Sequence, residues 1–90
     1  MTALIFLVAS VSCVVRDADG SIKRSSSAVR AFRKDNPCPS TGQTTGPCLG
    51  YVVDHIHPLC HCGEDTLRNM QWQAIGPALE KDKWERGICR

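Results

Sequence analysis

Ninety residues allow one small domain and exclude a large core that folds unaided. The formal net charge of +2 singles out no partner. Six cysteines, Cys13, Cys38, Cys48, Cys60, Cys62 and Cys89, are many for this length, so disulfides or a metal are expected to staple the fold.

Residues 1–15 are apolar except for Thr2, Ser10 and Ser12. The run is too short to cross a bilayer as a helix, and it reads as the apolar region of a secretory signal peptide. No Lys or Arg precedes Arg16, and Ser10-Val11-Ser12-Cys13 matches a lipoprotein box only loosely. If it is retained, the segment reads instead as an apolar strand or helix of the fold. Export would place the protein in the periplasm or medium, where cysteines oxidise. A retained segment would leave it cytoplasmic. No stable membrane span is expected in the mature form.

Residues 16–27 are polar, carry the turn signal Asp19-Gly20 and read as a linker. Ser25, Ser26 or Ser27 is placed to cap a short helix over residues 28–34. Val29 and Phe32 share one face of that helix, and Arg30, Arg33 and Lys34 lie elsewhere. Asn36-Pro37-Cys38-Pro39 ends it, because proline cannot continue a helix. The basic residues of this third outnumber Asp17, Asp19 and Asp35, and form either a phosphate-binding face or a solvated arm.

Residues 40–50 contain three glycines and Pro47, and form a loop. Tyr51-Val52-Val53 is aromatic and β-branched, the composition of a strand. Pro58 stops it, and residues 60–65 form a turn region around Gly63. Met70-Gln71-Trp72-Gln73 is placed as the returning strand. Gly76-Pro77 then opens a helix over residues 78–85 that ends near Gly87. The order is strand, long turn, strand, helix.

The chemistry concentrates at Asp54-His55. Neighbours on a strand face opposite ways, so both cannot serve one packed core, and each needs a partner if buried. A neutral histidine can take a proton from water near pH 7. A carboxylate suits a hard divalent ion. Taken alone, the dipeptide reads more readily as a strand-end acid beside a surface histidine than as a site.

Gly50-Tyr51-Val52-Val53-Asp54-His55-Ile56, Pro58-Leu59, Gly63, Asp65 and Asn69-Met70-Gln71-Trp72-Gln73 together resemble a bacterial and phage branch of the HNH endonucleases. The likeness extends upstream to Pro37-Cys38-Pro39-Ser40-Thr41-Gly42 and Gly46-Pro47-Cys48, and downstream to Lys81-Asp82-Lys83-Trp84-Glu85. It implies an α+β fold: a small, cysteine-stapled ββα-metal domain over residues 28–90 with a short preceding helix. It implies metal-dependent hydrolysis of phosphodiester bonds in DNA, with little sequence specificity. His55 then corresponds to the water-activating base, Asp54 to a metal ligand and Asn69 to the asparagine that braces the loop. The ion would be Mg2+ first, with Mn2+, Ni2+ or Zn2+ as alternatives.

Family members usually carry a His or Asn ligand nine residues after the central asparagine, where this chain has Ala78. Asp82, one turn later on the same helical face, is the expected substitute, with Glu80 a weaker candidate. His57 and His61 read as exposed and uninvolved. Arg30, Arg33, Lys34, Arg68 and Lys81 are candidates for contact with the phosphates of double-stranded DNA. An alternative is a catalytically degenerate HNH-fold module that binds DNA or zinc, which Ala78 favours. A small secreted disulfide protein with an interaction role ranks last.

Cys38 and Cys48 flank the glycine-rich loop and are expected to pair. Cys60 with Cys89 would tie the hairpin loop to the C-terminus, and Cys62, where the resembling sequences often have glycine, is expected to be free. The rival is a structural zinc site drawn from the same cysteines, although no Cys-x-x-Cys is present. Oligomeric state is not indicated.

Overall fold

The computed structural model describes residues 13–89. The expected signal segment therefore lies almost wholly outside the described residues. The architecture is small α+β: helix α1 (Ser26–Asp35), strand β1 (Tyr51–His55), strand β2 (Met70–Ala74) and helix α2 (Ile75–Ile88). Two single 3₁₀ turns, Leu59–His61 and Leu67–Asn69, shape the long connection between the strands.

The stretch expected as a linker is a tight turn. Arg16 bridges Ile22, the Asp17 N–H donates to Ser21 O at 2.8 Å, and the Lys23 N–H donates to Val15 O at 2.8 Å. Ser25 is the helix cap, its hydroxyl accepting the Ala28 N–H at 3.1 Å. α1 therefore starts two residues before the expected Ala28. At its other end Arg33 and Lys34 complement the helix dipole, and Asn36 closes onto Phe32 O before Pro37.

β1 and β2 form one antiparallel pair with Asp54 opposite Gln71 and His55 opposite Met70. Alternation gives this ribbon two faces. α1 packs on the face of Trp72: the Phe32 and Trp72 ring centroids are 5.9 Å apart, and the indole N–H donates to Asn36 O at 2.7 Å. α2 crosses the face that carries Asp54 and Gln71. It begins at Ile75, three residues before the expected start, because Gly76 and Pro77 fit a first turn whose N–H groups have no partner inside the helix. It also passes through Gly87 to Ile88.

The buried apolar side chains among the described residues are only Phe32, Cys38, Pro58, Leu59 and Met70. A two-stranded ribbon with so small a core needs cross-links. Cys38–Cys48 and Cys60–Cys89 pair as their loop positions suggest. Cys62 is not free: it pairs with Cys13, with the two Cα atoms 5.3 Å apart. Its φ of 67° is left-handed, the conformation glycine adopts most readily and the one that turns this side chain toward the N-terminal segment. With all six cysteines in disulfides, the structural zinc alternative has no thiolate to use. Closure of loops this long stabilises by about 2–4 kcal/mol per bond.

Gly63 has a different constraint. Its N–H donates to Pro58 O at 2.8 Å, and a Cβ there would lie 1.9 Å from His57 O. The obstructing atom is backbone, so the turn itself must open to admit a methyl group. Gly63→Ala is expected to cost about 2–4 kcal/mol in urea unfolding, and an unchanged midpoint would contradict this close approach.

Candidate functional site

Asp54 and His55 close β1, and their side chains leave on opposite faces. Each enters its own polar cluster, and both border a cleft of about 410 Å³ that Arg24, Ala78, Asp82 and Glu85 also line.

His55 is buried at 8% exposure. Its Nε2 lies 2.9 Å from Asp65 Oδ1. The other Asp65 oxygen accepts the Ser25 N–H at 2.5 Å, so one carboxylate joins the strand end to the α1 cap. An ionised carboxylate only accepts, so the shared proton of the neutral imidazole belongs to Nε2. Nδ1 then carries the lone pair, and it has no hydrogen-bond partner among the described residues. A histidine oriented by an acid, with its second nitrogen free, is the arrangement of a general base.

Asn69 holds the loop that carries this acid. Its Oδ1 accepts the His57 N–H at 2.9 Å, while its Nδ2 donates to His57 O at 3.0 Å and to Glu64 O at 2.7 Å. The main-chain bond from Ile56 N–H to Asn69 O, 2.8 Å, continues the strand ladder into the loop. Only an amide side chain both donates and accepts in this way. His57 Nε2 bonds His61 O at 2.7 Å, and neither histidine joins His55.

On the other face Asp54 accepts from its cross-strand neighbour Gln71 at 3.2 Å and from Lys81 of α2, whose Nζ is 3.1 Å from Oδ2. Lys81 also donates to His55 O at 2.8 Å and to Glu85. Its three N–H groups thus match three oxygens. Burial pulls the Lys81 pKa down, but the hydrogen bonds it donates to Glu85 and Asp54 outweigh that, and the net position is above the ordinary lysine value.

Two expectations are corrected here. Lys81 does not present its ammonium to solvent as a phosphate contact; it joins α2 to the end of β1. Asp82 borders the same cleft as Asp54, but its Oδ2 is 2.6 Å from Arg86 Nη2, in an ion pair along the helix. Glu85, not Asp82, is the helix carboxylate that shares a partner with Asp54. Glu80 pairs with Lys83 at 3.4 Å. Among the described residues no group of three or more His, Cys, Asp or Glu side chains is arranged to hold a metal ion.

The remaining basic candidates are dispersed. Arg30 and Lys34 are exposed on α1. The Arg33 guanidinium lies over the Trp72 ring, 5.2 Å from its centroid, with Nε and Nη2 buried and unpartnered. Arg68 pairs with Glu64 at 2.6 Å, and this hydrogen bond holds the Glu64 carboxyl below its usual range.

Asp65 and Glu85 were not singled out as site residues by sequence. Glu85 had a signal, since it follows Lys81 by four residues and so shares its helical face. Asp65 had only its place in the motif, because its link to His55 runs across the loop.

No protein-family model, curated protein or solved structure matches this chain. No helix among the described residues is long and apolar enough to cross a membrane.

Lys81→Met is expected to lower stability by about 1–3 kcal/mol at neutral pH, because Asp54 and Glu85 lose their shared partner. A lysine pKa raised by folding stabilises fully below its unfolded value and ceases to as pH rises through the folded one. Denaturant unfolding should therefore show a constant gap between variant and wild type from about pH 6 to about pH 9, closing only above the ordinary lysine range. A gap that closes on the acidic side of neutrality first would contradict this assignment.

Proposed function

We propose that this chain is an HNH-type endonuclease that hydrolyses phosphodiester bonds in DNA. The observation that carries the reading is the strand-end pair His55–Asp65, held by a loop that the Asn69 side chain laces shut. The order of two strands and a helix, with Asp54 beside the histidine, agrees with the sequence likeness to the ββα-metal fold.

In this reading Nδ1 of His55 takes the proton of the attacking water, and Asp65 stabilises the imidazolium that results. Asp65 is a positioning residue, as is Asn69. A divalent ion, Mg2+ first, would supply positive charge for the scissile phosphate and the leaving oxygen. The donors at Asp54 and Glu85 are hard oxygens, the type such an ion takes. Their arrangement does not fit one as it stands, because Lys81 lies between them, so no step is routed through the metal.

DNA would be held through backbone phosphates by Arg30, Arg33 and Lys34, with Arg68 at the loop. No element for reading base edges is evident among these residues, so low sequence specificity follows. Three disulfides suit an oxidising compartment, and export to the periplasm or medium is part of the proposal.

A second reading, a catalytically degenerate module that only binds DNA, is favoured by one specific observation: Ala78 and Lys81 stand where a helix ligand would face Asp54. Plasmid nicking with Mg2+ or Mn2+ separates the two. Wild type should nick, and His55→Ala should lose about 100-fold or more of the rate. Equal nicking by both proteins would remove His55 from its role, and intact plasmid with retained DNA binding would favour the binding module.

A further inference from the structure

Three oxygens converge on one point between β1 and α2. They are a carboxylate oxygen of Asp54, a carboxylate oxygen of Glu85 and the main-chain carbonyl of His55, which is 2.8 Å from Lys81 Nζ. The carbonyl belongs to the residue assigned as the base, and the two carboxylates come from different elements. Asp54 is further fixed from across the ribbon by Gln71. The three charged side chains of this cluster are largely shielded: Lys81, Asp54 and Glu85 are exposed by 21%, 19% and 19% respectively.

Two carboxylates and a carbonyl around one point carry two negative charges. A single ammonium neutralises only one of them. A divalent ion at the same point would neutralise both, and oxygen is the donor it prefers. The ammonium holds its place because it is tethered to α2 and therefore always present at the site.

We infer that the Lys81 ammonium is a built-in competitor for this site: it fills the cation position between Asp54, Glu85 and the His55 carbonyl, and a divalent ion enters only by displacing it. The inference rests on the nuclease reading for the use to which the ion is put, and on geometry alone for the competition. Lys81 is then a residue that sets how much metal the protein requires. Nothing in its place on α2 demands contact with substrate.

Mn2+ binding tests this without any assay of activity. Wild type, Lys81→Met, Lys81→Arg and the double variant Lys81→Met/Asp54→Asn would be titrated with Mn2+ and free ion read by its electron spin resonance signal. Lys81→Met should bind Mn2+ at least about tenfold more tightly than wild type, because the tethered charge is gone. Lys81→Arg keeps that charge and should show no such gain. The double variant should lose the gain. A Lys81→Met protein that binds no more tightly than wild type overturns the inference, as does a gain that survives removal of the Asp54 carboxylate. Amide signals of wild type supply an arm that needs no folded variant. Sub-millimolar Mn2+ should leave Asp54 and Glu85 unbroadened, and selective broadening there with Lys81 in place would also overturn the competition. Tight Mn2+ binding by Lys81→Met with no nicking by any variant would support the cation site while removing the nuclease reading.

Discussion

Everything distinctive in this protein depends on the closure of the loop between β1 and β2. Two five-residue strands are too little sheet to be stable alone. The Asn69 side chain ties three main-chain groups on opposite sides of the loop, and Gly63 lets that loop pass against the His57 carbonyl. With the loop closed, Asp65 meets His55, the Ser25 N–H meets Asp65, and α1 is thereby docked to the end of β1. The disulfides at Cys60 and Cys62 tie the same turn to both ends of the described chain. A small core is thus compensated by polar links and two disulfides that meet at one corner.

That corner has two electrostatic centres because a strand alternates. His55 turns to Asp65, and Asp54 turns to Lys81, so each polar side chain finds its partner on its own face. Single replacements in either cluster would strand a buried polar partner, which costs more than loss of an isolated surface pair. The two clusters are still coupled, because Lys81 bonds both the Asp54 carboxylate and the His55 main chain. Helix α2 is in this way informed of the position of the catalytic candidate without touching its ring.

Much of the fold was legible because it is written in local chemistry. Tyr51-Val52-Val53 and Met70-Gln71-Trp72-Gln73 gave the two strands, Pro58 and Gly63 the turn between them, and Gly76-Pro77 the last helix. The two disulfide pairs at Cys38 and Cys60 followed from loop placement. Boundaries were less legible, since Gly and Pro break a helix interior yet fit its first turn. The direction of individual side chains was less legible still. Lys81 and Asp82 are adjacent in sequence, and only the packing of α2 on the ribbon decides which one faces Asp54. The glycine found at the Cys62 position in resembling sequences suggested a free thiol, whereas the bond to Cys13 spans 49 residues and has no local signal.

The central claim is that Asp65 holds His55 as the tautomer whose Nδ1 is free to accept a proton. Nitrogen-15 NMR of the imidazole reads this directly. The neutral His55 ring should carry its proton on Nε2, with Nδ1 bare, and Asp65→Asn should erase that preference. An Nδ1-protonated ring in the wild type, or a tautomer indifferent to Asp65, would contradict the account.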